Sequence, residues 1–288
     1  MSAKVFLDYD QAALDRAYDQ PSWAPNMQVV LQRRAAASDA VRARLGEPRS
    51  FAYGPTSVER LDVYPTARPN APVMVFLHGG AWRGGDARSQ AYAAETFVQA
   101  GAHWVVPEFA TVMDVGLDGM VAQVRRAVAW IAENAPRFGG DPARVYVGGH
   151  SSGGHLAGNV LVTDWERDFG LPTHVVKGGL CVSGMYDLKA VRLSARSSYV
   201  KFDDRIEHAL SPQRHLEQLT APVIVAYAER DSPEFQRQSR ELAEALQATG
   251  RLRQLIVAPG LNHFEIAETL ARPDGLLGRA SLALMGLT

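Results

Sequence analysis

A serine hydroxyl becomes a nucleophile when a tight turn projects it and a base stands beside it. One serine of this chain has such a turn. Gly149-His150-Ser151-Ser152-Gly153 follows the apolar run Val145-Tyr146-Val147 and leads into His155-Leu156-Ala157. Strand, turn and helix start, in that order, present the Ser151 hydroxyl at the strand's end. Glycines two residues to either side remove Cβ atoms that would clash in the turn. The helix N-terminus then offers the Ser152 amide and its dipole to developing negative charge. A glycine-rich turn capped by Ser151 is the plainer alternative. A phosphate loop fits worse, because no lysine follows the glycines.

A second glycine-rich segment, His78-Gly79-Gly80-Ala81-Trp82, follows the apolar run Val73–Leu77. Glycines there let main-chain amides approach a substrate oxygen and hold charge that exists only in the transition state. The expected donors are the amides of Gly80 and Ala81, with Gly79 shaping the turn and Ser152 forming the opposite wall. His78 reads as a residue that orients this loop. Trp82 fits two roles equally, walling an acyl or aryl pocket or packing beneath the loop.

Serine needs a base, and the base needs a carboxylate to fix its tautomer. In hydrolases built on a doubly wound sheet the chain order is serine, acid, histidine. Of the eight histidines, only His263 lies beyond the last strand-end acid. Asp231 closes the run Val223–Ala228 and is the expected acid, although Asp231-Ser232-Pro233-Glu234 also reads as a capping box. Asp187, after Val182-Ser183-Gly184, competes for the role, and Glu229 lies too close to its strand. Cys181 sits inside an apolar run and reads as a core thiol. His150 and His155 flank the serine without a third ligand at metal spacing, so neither a metal nor a cofactor is expected.

These groups must be held by strands covered on both faces. The runs Val73–Leu77, His103–Val106, Arg144–Val147, Val175–Val182, Pro222–Ala228 and Leu255–Ala258 are near-continuously apolar, as parallel strands require. Helical spacing separates them, at Val121, Val124, Val128 and Ile131, and again at Phe235, Leu242 and Leu246. The alternation predicts a doubly wound α/β sheet, with Phe51–Tyr53 and Leu61–Tyr64 as an antiparallel edge pair. Residues 1–45 read as an amphipathic helical cover of one domain spanning 1–288, and Arg33, Arg34, Arg42 and Arg44 as its solvated face. Tyr9, Tyr18 and Trp23 either close over the site, where Tyr18 and Trp23 would touch substrate, or pack on the outer sheet surface.

Composition removes other functions. The chain has 288 residues, 47% of them apolar, with 30 basic and 31 acidic side chains. A net charge of -1 gives no general attraction to nucleic acid or an anionic membrane. One cysteine makes no intrachain disulfide. The start of the chain is charged, and the apolar runs are strand-sized, below the roughly 20 residues that span a bilayer. A soluble, cytoplasmic protein is expected, with no nucleic-acid or membrane partner. The oligomeric state is open, a homodimer included.

Taken together, His78-Gly-Gly-Ala-Trp82, Gly149-His-Ser-Ser-Gly153, Asp231-Ser-Pro-Glu-Phe235 and His263-Phe-Glu-Ile266 resemble the arylformamidase (kynurenine formamidase) branch of the α/β-hydrolases. The likeness extends to Leu14-Asp-Arg-Ala-Tyr18 and Leu61-Asp-Val-Tyr64, and so covers almost the whole chain. It implies a mostly parallel eight-stranded sheet with Ser151 as nucleophile, Asp231 as acid and His263 as base, and it favours Asp231 over Asp187. Members hydrolyse N-formylkynurenine, and related enzymes cleave simple esters. Ala81-Trp82 stands where lipase-like esterases carry a further glycine. The expectation is a serine hydrolase acting on a small acyl or formyl group through an acyl-enzyme. The rivals are a short-chain carboxylesterase and a hydrolase-fold binding protein without catalysis. For any substrate carboxylate, Arg83 is the partner the sequence offers.

Overall fold

A computed structural model describes residues 3–287. Its eight strands are β1 (Arg49–Ala52), β2 (Arg60–Tyr64), β3 (Ala71–Leu77), β4 (His103–Pro107), β5 (Gly140–His150), β6 (Val176–Val182), β7 (Val223–Ala228) and β8 (Leu252–Ala258). They form one sheet in the order β1-β2-β4-β3-β5-β6-β7-β8. β2 runs antiparallel to both β1 and β4, and every other pairing is parallel. The antiparallel edge pair and the six parallel runs agree with the sequence expectation, although β5 begins four residues earlier than its apolar run.

The continuous apolar runs follow from burial on both sides of the sheet. All seven residues of β3 are buried. Because successive side chains point to opposite faces, Val73, Val75 and Leu77 enter one core while Met74 and Phe76 enter the other. The first core is closed by the helices Val112–Asn134, Ser152–Leu161 and Pro233–Ala248, the second by Ala94–Ala100 and Leu276–Leu284. From β3 the chain moves to one side to make β4, then crosses back to make β5 on the other. That reversal lies between the C-terminal ends of β3 and β5, where crevices form in open parallel sheets. Leu77 pairs with Gly149, so the His78 loop and the Ser151 turn leave the sheet side by side.

The N-terminal segment is helical at Gln11–Ala17 and Met27–Leu45. Its arginines correct the solvated-face reading. Arg34 and Arg42 are buried, on one stripe with Val30, Ser38 and Val41, while Arg33 and Arg44 point outward. Arg42 ion-pairs with Glu47 and donates to the Tyr64 hydroxyl. The buried stripe of Met27–Leu45 mixes arginine and serine with valine and carries little apolar periodicity, which also corrects the amphipathic reading for this helix.

Candidate active site

Ser151 occupies a left-handed backbone conformation, φ 59° and ψ −125°, directly before the helix Ser152–Leu161. Strain of this kind persists only where neighbours enforce it. The Ser151 amide donates to the Val182 carbonyl at 2.9 Å, tying the turn to β6. A Cβ on Gly149 would lie 2.0 Å from the Gly153 carbonyl oxygen, and one on Gly153 2.0 Å from that of Leu77. Both positions therefore exclude side chains.

The relay forms across three strand ends. His263 Nε2 is 2.9 Å from Ser151 Oγ, and His263 Nδ1 is 2.6 Å from Asp231 Oδ1. Asp231 Oδ2 accepts from the Ser183 hydroxyl at 2.6 Å and from the Ala228 amide at 2.9 Å. The carboxylate is thus held on both oxygens, aiming one at the imidazole. His150, next to Ser151, donates from Nε2 to the His263 carbonyl at 2.7 Å. Burial, aided by the charges of His263 and Arg34, keeps the His150 pKa well below the ordinary imidazole value. His150 thereby braces His263 from the position next to Ser151.

The other acids are engaged elsewhere. Asp187 caps the helix Leu188–Leu193 and makes a bidentate ion pair with Arg214. Glu229 accepts from the Gly260 amide. The capping box expected at Asp231 does not form: the Ser232 hydroxyl donates to the Ala17 carbonyl, and Glu234 pairs with Arg237 and accepts from Tyr18. Burial pushes the Cys181 thiol up to about 12, in keeping with an inert core residue.

The loop after β3 places Gly79, Gly80 and Ala81 on the wall of the cavity that holds Ser151. Gly80 and Ala81 take positive φ, 133° and 54°. Among the described hydrogen bonds, the amides of Gly80, Ala81 and Ser152 have no protein acceptor. Trp82 resolves to its second role. It is 2% exposed and lies outside the cavity wall, because its indole N–H donates to His155 Nδ1 at 3.2 Å beneath the loop. His155 passes the chain on from Nε2 to the Leu210 carbonyl, and burial lowers its pKa to about 4. The Trp82 amide donates to Ser152 Oγ, tying the loop to the helix behind the serine.

His78 does orient the loop, through a partner that sequence reasoning missed. Its Nε2 lies 3.1 Å from Glu108 Oε1, and its ring stacks on Phe109 at 4.2 Å. Glu108 also accepts from the Ala87 and Phe109 amides, pinning the far side of the same loop. No spacing rule links residue 78 to residue 108. The only signal was an acid directly after a strand.

The cavity measures about 620 Å³. Ser151, His150 and His263 line it together with Tyr18, Arg34, Arg83, Arg196 and Tyr199. Tyr18 is therefore a wall residue, its hydroxyl held by Glu234 and Gln238. Trp23 and Tyr9 are not on the wall. Trp23 donates instead to the Arg16 carbonyl, stapling the N-terminal segment. Among the described residues no cluster of histidine, cysteine and carboxylates stands at metal-holding geometry.

The profile of the prolyl oligopeptidase family matches residues 120–274, and the BD-FAE profile matches residues 61–174. The kynurenine formamidase of Danio rerio is 31% identical, over 95% of this chain and 96% of that protein. The kynurenine formamidase of Salmo salar is 29% identical over 97% and 98%. A crystal structure from Silicibacter sp. tm1040, provisionally described as a thioesterase, superposes with a TM-score of 0.82 at 24% identity. It covers 95% of this chain and 98% of its own. At that identity the likeness establishes the fold.

Proposed function

This chain belongs to the kynurenine formamidase family of the α/β-hydrolases and is a serine hydrolase, and from that premise we propose that it deformylates N-formyl aryl amines through a Ser151 acyl-enzyme. The observation that carries the site assignment is the continuous hydrogen-bonded line Ser151–His263–Asp231, buried apart from the serine's opening to the cavity.

His263 Nε2 takes the Ser151 proton as Oγ attacks the formyl carbon. Its Nδ1–H stays bonded to Asp231, which orients the ring and stabilises the imidazolium without taking its proton. The oxyanion is held by the amides of Gly80, Ala81 and Ser152, preorganised on the cavity wall and at the helix start. As the tetrahedral intermediate collapses, the C–N bond breaks and the imidazolium gives its proton to the leaving amine. Water then attacks the formyl ester, again through His263, and releases formate. Residues 1–288 act in this reading as one domain. A cytoplasmic setting belongs to it as well, supported by a solitary, buried cysteine.

The test is kcat/KM over matched formanilides and phenyl esters, with Ser151→Ala as the blank. Formamide preference supports the reading. Ester preference by more than about tenfold replaces it with a carboxylesterase. Failure of a fluorophosphonate to label Ser151 in the folded protein removes catalysis altogether.

A further inference from the structure

Of the three arginines that line the cavity, Arg34 and Arg196 are more than nine-tenths buried, and neither has a carboxylate within ion-pairing distance among the described residues. They differ in how they are held. Arg196 donates to the Tyr199 hydroxyl and the Tyr18 carbonyl, both at 3.0 Å, and lies 5.6 and 5.8 Å from the Tyr18 and Trp82 rings. Those contacts lock it as a brace between the N-terminal segment and the oxyanion loop. Arg34 is held more loosely. Its Nη2 donates to the neutral Gln90 side chain at 3.1 Å and its guanidinium lies 4.7 Å from the Tyr92 ring centre. Nε lacks a hydrogen-bond partner in both arginines, so the difference lies at the Nη groups, of which Arg196 engages two and Arg34 one.

An arginine in this setting keeps its charge and calls for an anion. Among the described residues the protein supplies none. The Arg34 charge helps to hold the pKa of His150, beside the serine, below its ordinary value, after burial and His263. Arg83 is a poorer candidate, since it is exposed and rests 4.5 Å over the Tyr199 ring. The acids that line the cavity are Asp15 and Asp19. Asp15 accepts from the Ala195 amide and Asp19 from the Ser22 hydroxyl, so both serve the N-terminal segment.

We propose that Arg34 is the seat for a carboxylate on the substrate, so that the cavity selects anionic acyl or formyl compounds over neutral ones. A carboxylate there meets a guanidinium that is already desolvated, and a charge-assisted hydrogen bond in such a setting discriminates more than one in open water. Because Arg34 belongs to the helix Met27–Leu45, the N-terminal cover contributes recognition while the sheet contributes chemistry. This inference rests on the serine hydrolase reading of the same cavity.

The test uses the full-length protein and formanilides whose ring carries a carboxylate through zero, one, two or three methylenes, each paired with its own primary amide. At one tether length or more, the wild type should prefer the carboxylate about tenfold or better in kcat/KM. In Arg34→Met the ratio of carboxylate to amide kcat/KM should fall to about twofold or less, the carboxylate's loss falling mainly on KM. No preference at any length in the wild type overturns the proposal without using a variant, as does a preference that survives Arg34→Met. Should Arg34→Met fold poorly by thermal melting, Arg34→Lys replaces it. Lysine keeps the charge and loses the fork, so a preference unchanged from arginine would overturn the seat. Loss of all turnover in wild type, neutral amides included, counts against the hydrolase reading instead.

Discussion

Replacing Ser183 with alanine isolates the part of the relay that has no counterpart in the motifs. The Ser183 hydroxyl is fully buried and donates to Asp231 Oδ2 at 2.6 Å. Asp231 has two other donors, the Ala228 amide on the same oxygen and His263 on the other. Net hydrogen bonds to a charged group contribute about 1.5–3 kcal/mol. With two of three donors remaining, the lower half of that range applies, about 1.5–2 kcal/mol. At about 1.4 kcal/mol per tenfold this lowers kcat/KM by about 10- to 30-fold. The loss should fall on kcat rather than KM, because Ser183 does not line the cavity. Steady-state kinetics on a formanilide, with circular dichroism to check the fold, reads this directly. Ser183 also has φ 44°, where a Cβ is strained. Ser183→Gly separates the causes, since it relieves the strain and still lacks the hydroxyl. A Ser183→Ala enzyme within twofold of wild type would refute the reasoning, as would full activity in Ser183→Gly.

Other outcomes are fixed by the same geometry. Glu108→Gln should lower kcat about tenfold with little change in KM, because Glu108 holds both His78 and the Ala87 amide at the oxyanion loop; stopped-flow acylation measures it. Gly153→Ala should destabilise the fold by about 3 kcal/mol or more, since the added Cβ would meet the Leu77 carbonyl oxygen at 2.0 Å, and urea denaturation reports the change. Stability should fall in acid through His155. Burial lowers its pKa to about 4 in the folded chain from 6.5. The neutral form's contribution is complete above pH 6.5 and is lost as pH falls to about 4, which amounts to roughly 3 kcal/mol. Urea midpoints from pH 7.5 to 4.5 follow the loss, and His155→Gln should flatten that limb.

The chemistry of the site was legible in the sequence because it rests on local constraints. A serine between glycines after an apolar run has few structural uses. Chain order alone left one histidine in the base position. The runs that became β3 to β7 could be read because strands buried on both faces carry no polar alternation, whereas β8, at the sheet edge, leaves Leu255 and Val257 exposed. The sequence therefore determined the sheet class, and it supplied the turn, the glycine-rich loop and the chain order on which the proposed relay rests.

Adjacency was decided only by the fold. Nothing local says that β3 lies between β4 and β5, yet that crossover sets the His78 loop beside the Ser151 turn. Ser183 and Glu108 acquire their roles from partners 48 and 30 residues away. Trp82 and Trp23, read as pocket candidates from their chemistry, are turned away by hydrogen bonds to His155 and Arg16. Arg34 makes the same point in reverse. A charged side chain on a helix reads as solvated because solvation is the lowest-energy setting for an isolated charge. Only packing against the Gln90 and Tyr92 wall shows that it is buried, uncompensated and on the cavity.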